Sequence, residues 1–384
     1  MPVETLVAAG AATMEITLSK FDLLKELTAT QGVVERKTTI PILSNYLFEA
    51  AGDALSLTAT DLDLSLRTSC AAKVKKEGSC TIPARKLYDY VKLLPDGEIS
   101  IKLLENHWIQ IRCGRSNTKM VGMARANFPT LPVFPTAGVI SIPAKVLRAM
   151  IGRTIFAIAN EESRYTLNGA LMVLKPESIT MVATDGHRLA HVERPGEKFE
   201  GISGELKTLV PKKAMNELRI LLDATDAEHI EFAKDESTLF FRIGQRLLTS
   251  RQLTGQFPNY EAVLPKDNNK SITVRSADFS AAIQRVAQFA DERSGAIKMR
   301  LEKNELKISS SSTETGESED SLETTYDGDL VTMGFNSAYL LDFLKAAGAD
   351  QVRLEFKDSQ SAGQLRPDES EDYKYRYIVM PMRI

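Results

Sequence analysis

Short apolar runs of strand length that lead directly into amphipathic helices recur six times along the chain. In the clearest copy, residues 141–154, the apolar face of the helix includes Val146 and Met150, whereas Lys145 and Arg148 lie on the opposite face. The pattern predicts six strand–helix units. The six predicted helices span residues 20–27, 84–94, 144–154, 211–222, 276–288 and 337–347.

Three of the six units carry a proline where the strand meets the helix, at Pro83, Pro143 and Pro211. Proline suits the first turn of a helix, because it lacks an N–H that would have no partner there and its φ is already close to the helical value. We therefore expect Pro83 and Pro211 to open their helices, whereas the strand-like run before residues 144–154 ends in Pro143.

The units repeat with a period close to 124 residues. Asp61 in LTATDLDL and Asp185 in MVATDGHR are 124 residues apart, and so are Ile16 and Ile140. This period indicates tandem domains with two strand–helix units each, separated by turn-forming segments. The predicted parts are a disordered extension at residues 1–13 and three domains at residues 14–137, 138–268 and 269–384.

Between the helices the chain contains runs typical of strands, such as NYLFEA, ALSLTATD and WIQIRCG. The stretch ESITMVATDGHRLAHVE predicts a hairpin with Asp185-Gly186 as a type I′ turn, because that pair accepts positive φ. The acidic segment 312–329 is predicted to be a solvated loop. The predicted fold class is α+β, with antiparallel sheet and two helices packed on one side of it in each domain.

The composition is typical of a globular protein of several domains. Of its 384 residues, 43 % are hydrophobic, and no apolar run approaches the ~18 residues that a membrane span needs. Cys70, Cys80 and Cys113 lack the spacing of a zinc site and are expected to be reduced thiols of a cytoplasmic protein. The net charge of −3 argues mildly against nucleic acid as a partner.

The distribution of charge along the chain reverses that judgement. The six predicted helices carry a net charge of +7, so the rest of the chain carries −10. If these helices share one side, they form a basic surface that attracts a polyanion such as duplex DNA. No aromatic residues alternate with the basic ones as stacking platforms, which favours contacts with backbone phosphates that carry little sequence information.

The sequence contains none of the common motifs for nucleotide binding or hydrolysis: GxxxxGK[ST], GxGxxG, GxSxG and HExxH are all absent. His187 and His191 in HRLAH have a spacing that could bind a metal, but no third ligand follows. An exposed strand face is the preferred interpretation of this pair. Asp61 and Asp63 are interpreted as turn residues rather than as a metal-binding pair.

Several motifs resemble those of the β subunit of bacterial DNA polymerase III, the sliding clamp. They are YTLNG at 165–169, ATDGHRLA at 183–190, FPNYEAVLP at 257–265 and the terminal IVMPMRI at 378–384. The resemblance covers residues 14–384. It implies three clamp-type domains with sheets outside and helices inside, and a head-to-tail homodimer closed into a ring around DNA. It also implies a processivity factor that has neither catalysis nor a cofactor of its own.

The resemblance implies three sets of site residues. The DNA-binding set is Lys37, Arg85, Lys86, Lys92, Lys145, Arg148, Arg153, Tyr165, Lys212, Lys213 and Arg219. The set for a peptide-binding groove is Leu167, Thr184, Gly186, His187, Arg188, Leu189, Pro258, Val263, Ile378, Met380, Pro381, Met382 and Arg383. The dimer interface is expected at Met120 and Phe289. Ala262 departs from the family pattern, because many members carry a basic residue there.

The partners that the resemblance implies are double-stranded DNA of any sequence and a second copy of the chain. The α subunit of DNA polymerase III, the clamp loader, other polymerases and repair proteins would bind through short peptide motifs. No membrane is expected as a partner. Two alternatives remain open. An enzyme that uses Asp185, Gly186 and His187 for acid–base chemistry would lose turnover on the substitution His187→Ala. A scaffold that binds peptides but no DNA would leave the basic helices without a purpose.

Overall fold

The structure, a computed structural model, describes residues 14–35, 38–160, 165–314, 316–369 and 372–383. The predicted extension at residues 1–13 and the predicted DNA contact Lys37 lie outside the described residues. The α-helices are α1 (Lys20–Thr30), α2 (Ala84–Leu93), α3 (Ala144–Gly152), α4 (Lys212–Asp223), α5 (Ser276–Ala287) and α6 (Ser337–Ala347). None of the helices in these ranges is long and apolar enough to cross a membrane.

The strands are numbered in chain order. The first thirteen are β1 (Glu15–Ser19), β2 (Asn45–Ala51), β3 (Ala54–Thr60), β4 (Leu64–Ala71), β5 (Lys73–Lys76), β6 (Gly78–Pro83), β7 (Glu98–Leu103), β8 (Trp108–Cys113), β9 (Ser116–Val121), β10 (Ile140–Pro143), β11 (Gly169–Lys175), β12 (Ser178–Thr184) and β13 (Arg188–Pro195). The others are β14 (Leu206–Pro211), β15 (His229–Lys234), β16 (Thr238–Ile243), β17 (Arg246–Arg251), β18 (Lys270–Arg275), β19 (Ala296–Glu302), β20 (Glu305–Ser312), β21 (Gly316–Glu323), β22 (Val331–Asn336), β23 (Gln351–Phe356), β24 (Gly363–Pro367) and β25 (Lys374–Val379).

The strands form antiparallel sheets in two compact units. The first unit contains the described residues up to Ala144 and Ile220–Arg251, and the second contains Lys145–Arg219 and the described residues from Gln252 onward. The sheets of the first unit have the strand orders β5-β1-β7-β8-β9 and β10-β15-β16-β17-β4-β3-β2-β6. Those of the second unit are β14-β11-β12-β13-β25-β24-β23-β18 and β21-β20-β19-β22. The middle third of the chain therefore supplies strands to both eight-stranded sheets.

The six predicted strand–helix units and the α+β fold class are confirmed. Every α-helix in the described part of the chain begins at the residue that follows a strand. The helices are amphipathic as predicted. In α2, for example, Leu87 and Val91 are fully buried, whereas Arg85 and Lys86 are exposed. Burial of one apolar face stabilises a short helix that would be marginal in water by itself.

Pro83 and Pro211 end their strands rather than open their helices, contrary to the prediction, whereas Pro143 ends its strand as predicted. Pro83 has a ψ of 112° and is paired with Asn45 in the sheet. Pro143 and Pro211 are likewise the last residues of their strands. The φ that proline imposes suits an edge or end of a strand as well as a helix. Pairing with the neighbouring strand selects the extended ψ.

The loop between β12 and β13 has three residues, not the two of the predicted type I′ turn. Gly186 has a φ of 92°, whereas a type I′ turn needs positive φ at two successive residues. Oδ1 of Asp185 accepts hydrogen bonds from the backbone N–H groups of His187 at 3.0 Å and Arg188 at 3.1 Å. The carboxylate therefore shapes this loop by an Asx turn.

The same turn occurs 124 residues earlier, between β3 and β4. Oδ1 of Asp61 accepts hydrogen bonds from the N–H groups of Asp63 at 2.9 Å and Leu64 at 2.6 Å. Leu62 takes the place of Gly186 with a φ of 82°, a conformation that costs a residue with a Cβ about 1–2 kcal/mol. The period seen in the sequence is therefore a repeat of the structure, and Asp61 is a turn residue as predicted.

The acidic segment 312–329 contains the strand β21, whereas a solvated loop is predicted from its composition. This strand pairs with β20 along its whole length, and Leu322 lies opposite Leu306. The acidic side chains of Glu317, Glu319 and Glu323 are exposed. Because these charges stay in water, their repulsion is screened and the hydrogen bonds to β20 determine the local structure.

A buried ion pair joins α1 to β17 within the first unit. Nε and Nη2 of Arg246 donate to the two carboxylate oxygens of Glu26, each at 2.9 Å. The hydroxyl of Thr68 donates to the same carboxylate at 2.5 Å. Both charged side chains are about 10 % exposed. Bidentate pairing in this geometry compensates for the loss of water around the two charges.

Replacing Glu26 by alanine should lower the free energy of unfolding by about 3–5 kcal/mol, because the buried guanidinium of Arg246 would lose its counter-charge. Urea denaturation followed by circular dichroism measures this change. Lys25→Ala is the control, since Lys25 is exposed on the same helix and should change stability by about 0.5 kcal/mol or less. A loss below about 1 kcal/mol for Glu26→Ala would contradict the prediction.

Candidate functional site: groove, basic helices and edge strands

The structure brings ten of the thirteen predicted groove residues together around a groove of about 150 Å³ in the second unit. It is formed where the end of β12, the start of β13, the end of β25 and two short 3-10 turns meet. The residues that line it are Leu167, Thr184, Gly186, His187, Arg188, Leu189, Pro258, Tyr260, Val263, Ile378 and Met380.

The floor of the groove is apolar and well packed. Leu189 of β13 is directly paired with Ile378 of β25, and these side chains are 3 % and 1 % exposed. Residues paired across two strands project from the same face of a sheet. The pairing of β13 with β25 therefore places both side chains in one cluster. Its buried members are Leu171, Val173, Val182, Leu189, Leu209 and Ile378.

Tyr260 is a groove residue that the sequence analysis missed. It lies in FPNYEAVLP between the predicted residues Pro258 and Val263, so the motif already contained the signal. Its ring lies 5.6 Å from the imidazole of His191, measured between centroids. Burial raises the pKa of Tyr260 above its ordinary value, so the phenol is neutral at physiological pH.

His191 lies beside Tyr260 of the groove and is buried, whereas an exposed strand face is predicted for it. It is 9 % exposed, and its Nδ1 has no hydrogen-bond partner among the described residues. Burial lowers the pKa of His191, and the nearby charge of Arg376 lowers it further. The imidazole is therefore neutral at physiological pH. Within the ranges that the structure covers, no group of His, Cys, Asp or Glu could hold a metal ion.

The C-terminal residues leave the groove after Met380. The N–H of Met380 donates to the carbonyl oxygen of His187 at 2.9 Å, and the N–H of Met382 donates to that of Gly334 at 2.8 Å. Met382 thus pairs with the edge of β22. Pro381, Met382 and Arg383 are predicted groove residues, but they do not line the groove of the structure. Backbone pairing of Met382 with β22 holds this end of the chain away from the groove.

Arg188 connects the groove to three other elements of the second unit. Its guanidinium donates to Asp185 at 3.0 Å, to Asp342 of α6 at 2.7 Å and to the carbonyl oxygen of Phe156 at 2.7 Å. It also lies 4.2 Å from the centroid of the Tyr339 ring. Only 10 % of the side chain is exposed. Arg188 is therefore held in one orientation beside the groove, with little freedom to move.

Most of the predicted DNA-binding side chains are exposed on their helices. They are Arg85, Lys86 and Lys92 on α2, Lys145 and Arg148 on α3, and Lys213 and Arg219 on α4. Tyr165 lies in a 3-10 turn and is 56 % exposed. These positions suit contacts with phosphates, because long flexible side chains reach a backbone without reading bases.

Two predicted DNA-binding residues make contacts within the protein instead. Arg153 follows α3, and its guanidinium lies 4.1 Å from the centroid of the Tyr373 ring. Lys212, the first residue of α4, donates to the carbonyl oxygen of Ile158 at 3.3 Å and to Oδ1 of Asn160 at 2.5 Å. Burial lowers the pKa of Lys212. Sequence alone could not separate these two residues from their exposed neighbours, because their contacts come from other segments.

The two predicted interface residues each lie beside a strand at the edge of a sheet. Met120 belongs to β9, the last strand of the five-stranded sheet, and is 8 % exposed. Phe289 follows α5, and its ring lies 3.9 Å from the position that a Cβ on Gly316 would occupy. Gly316 begins β21, the edge strand of the four-stranded sheet. Each edge presents backbone groups that another strand could pair with.

Comparison with known proteins shows three family domains in succession along the chain. Models of the DNA polymerase III beta subunit match in order: the N-terminal domain at residues 14–132, the central domain at 141–259 and the C-terminal domain at 261–383. The beta sliding clamp of Caulobacter vibrioides is 34 % identical over 377 residues, which cover 97 % of this chain and 100 % of that protein.

Solved structures agree with this chain in fold. The DNA polymerase III subunit beta from Pseudomonas aeruginosa has a TM-score of 0.90 and 34 % identity, and the match covers 97 % of this chain and 100 % of that one. A sliding clamp from the same organism bound to griselimycin has a TM-score of 0.89 and 35 % identity, with the same coverage.

The fold and the matched domains define a protein of the sliding-clamp class. The chain belongs to the DNA polymerase III beta subunit family. It functions as a DNA sliding clamp, a processivity factor of DNA polymerase III that is itself not catalytic. The resemblance seen in the sequence motifs is thereby confirmed, and the two alternatives, an enzyme and a scaffold without DNA, are set aside.

Proposed function

We propose that two copies of the chain close head to tail into a ring that encircles duplex DNA in the cytoplasm. Each copy contributes three domains with bounds at residues 14–137, 138–268 and 269–384. The ring holds the polymerase on DNA by topology, so it needs no tight grip on any base pair. The observation that carries this proposal is the presence of two complementary edge strands, β9 and β21.

The charges on these edge strands support pairing between different copies. Lys119 on β9 and Arg115 in the preceding turn are basic, whereas β21 exposes Glu317, Glu319 and Glu323. Opposite charges favour the pairing of β9 with β21 over the pairing of either strand with itself. A head-to-tail contact of this kind uses two different surfaces, and two such contacts close a ring of two copies.

We infer that the exposed cations of α2, α3 and α4 face the DNA. Phosphates repeat regularly along the duplex and do not depend on sequence, so side chains that contact only phosphates favour no position along the axis. Such contacts allow sliding and at the same time keep the ring centred on the duplex. The positive charge of these helices, within a chain of net charge −3, supports this assignment.

Replacing Lys86, Lys145 and Lys213 by glutamine should weaken the binding of the clamp to a short linear duplex in rising salt, because phosphate contacts and not topology hold the clamp on such a duplex. Each lost phosphate contact should reduce the slope of log Kobs against log salt by roughly one unit. The dimer should persist, because none of the three side chains belongs to the proposed interface. Fluorescence anisotropy of a labelled linear duplex over a range of salt concentrations tests this expectation.

The matched control replaces the three lysines of β5, Lys73, Lys75 and Lys76, by glutamine. It removes the same charge from the edge of a sheet and should leave the salt slope unchanged. An equal loss of salt slope in both variants would mean that DNA binding depends on the net charge of the protein and not on the position of the lysines. The basic helices would then not be assigned to the DNA. An unchanged slope in the helix variant would also contradict the assignment.

We propose that the groove binds short peptide segments of partner proteins. The partners are the α subunit of DNA polymerase III, the clamp loader, other polymerases and repair proteins. Leu167, Val263 and Met380 offer flexible apolar contacts, and His187 and Arg188 place polar groups at the rim. The P. aeruginosa clamp with bound griselimycin supports a ligand-binding site in this family. Fluorescence anisotropy with a labelled pentapeptide containing Gln, Leu and Phe tests the groove.

A further inference from the structure

The short segment 156–160 lies between the groove and the start of α4. From the groove side, Nη2 of Arg188 donates to the carbonyl oxygen of Phe156 at 2.7 Å. The N–H of Ala159 donates to the carbonyl oxygen of Leu167 at 3.1 Å. Both Arg188 and Leu167 line the groove. The position of this segment therefore helps to set the position of two groove residues.

Lys212 holds the same segment from the other side. Its ammonium group donates to the carbonyl oxygen of Ile158 at 3.3 Å and to Oδ1 of Asn160 at 2.5 Å. Its backbone N–H donates to the carbonyl oxygen of Asn168 at 2.9 Å. Lys212 thus anchors the residues on both sides of the Tyr165–Leu167 turn through its side chain and its backbone.

The location of Lys212 is unfavourable for a cation without such partners. It is the first residue of α4, where the positive end of the helix dipole repels a positive charge. It is also half-buried, in contrast to its exposed neighbour Lys213. A cation that only awaited a phosphate would lie in water like Lys213. The carbonyl and amide oxygens around Lys212 compensate for the burial and for the dipole.

We propose that Lys212 is a positioning residue of the peptide groove and not a phosphate contact. By fixing segment 156–160, its ammonium group keeps Leu167 and Arg188 in the geometry that receives a peptide. This inference rests on the proposed binding of peptides by the groove. It also separates two adjacent lysines of α4 into different roles, Lys212 for the groove and Lys213 for the DNA.

Lys212→Met tests this role, because methionine keeps most of the length of the side chain and removes its charge. We expect the affinity for the labelled Gln-, Leu- and Phe-containing pentapeptide to fall about tenfold, while the salt slope of DNA binding stays unchanged. Lys213→Met is the matched control and should show the opposite pattern. Lys212→Arg keeps a positively charged hydrogen-bond donor and should restore peptide affinity to within about twofold of the natural chain.

The pH profile provides a second readout. Burial lowers the pKa of Lys212 and the charge of Arg188 lowers it further, whereas Asp185 opposes this change. Asp342 faces Arg188 from α6 and accepts a hydrogen bond from its Nη1 at 2.7 Å. Because the ammonium form makes the contacts, peptide affinity should fall as the pH rises through this lowered pKa. In Lys212→Arg the affinity should stay constant over the same range, since arginine remains charged.

Hydrogen exchange separates a failure of this inference from a failure of the proposed groove. The amide of Ala159 should exchange faster in Lys212→Met than in Lys213→Met, with or without peptide. If the natural chain bound no peptide but Ala159 exchanged faster, the groove proposal would fail while the anchoring role stood. If Lys212→Met bound peptide like the natural chain and exchange at Ala159 were unchanged, Lys212 would not position the groove and the inference would be overturned.

Discussion

Removal of the chain from Met380 onward should abolish binding of a short peptide to the groove, with a loss of affinity of about 100-fold or more. Met380 lines the groove, and its N–H donates to the carbonyl oxygen of His187 at 2.9 Å. The truncation therefore deletes one wall and releases the loop that forms another. The proposed ring closure uses other residues, so the truncated protein should remain a dimer. Fluorescence anisotropy and light scattering measure the two properties.

A shorter truncation that starts at Met382 is the matched control. Met382 pairs with Gly334 at the edge of β22 and does not line the groove, so peptide affinity should change by less than about threefold. Tight peptide binding by the longer truncation would show that the groove lies elsewhere. An equal loss in both variants would assign the effect to the pairing of Met382 with Gly334 and would contradict a direct role of Met380.

Phe289→Asp should convert the proposed homodimer into monomers. Phe289 is half-buried beside Gly316 at the edge strand β21, and in the proposed dimer its side chain would be covered by the second copy. A carboxylate in that place would be buried without a partner, at a cost of about 3–5 kcal/mol. This cost raises the dissociation constant by about 100-fold or more. Light scattering at micromolar concentration should then give a mass near 42.4 kDa instead of twice that value.

Gln288→Asp is the control for this change, because Gln288 is the exposed neighbour of Phe289 and the same charge there should leave the dimer intact. A charge exchange adds a second test. Glu317→Lys with Glu319→Lys should weaken the dimer, and Lys119→Glu in the same chain should restore part of the loss. If Phe289→Asp remained a dimer, closure through β21 would be wrong.

Several parts of the fold could be predicted because they depend on neighbours in the sequence. The alternation of side chains in β6 and the three-to-four residue spacing in α2 are both local, so they mark where the strand ends and the helix begins. The presence of turns at Asp61 and Asp185 was predictable for the same reason, but their type was not, because the structure has Asx turns and not the type I′ turn predicted at Asp185. These local patterns were sufficient to identify the repeat, the number of strand–helix units and the α+β class.

The site was predictable only in part. The motifs ATDGHRLA and IVMPMRI contain most of the residues that line the groove, and FPNYEAVLP also contains Tyr260. The separation of Met380 from Met382 depends on the edge of β22, which is distant in the sequence. The guanidinium of Arg153 likewise lies over the ring of Tyr373, a residue that is distant in the sequence. A residue's type identifies it as a candidate for DNA binding, but distant partners decide whether its charge reaches the surface.

The sequence by itself determined the order of the six strand–helix units, the amphipathic faces of the helices and the excess of positive charge on them. Only the tertiary structure decided which strands share a sheet, as when Leu247 pairs with Arg67 and Leu189 pairs with Ile378. The physical reason is the range of the forces involved. Helix periodicity and Asx turns act within about four residues. Pairing between distant strands, such as β13 with β25, depends on the burial and hydrogen bonding of the whole sheet, and it creates the groove.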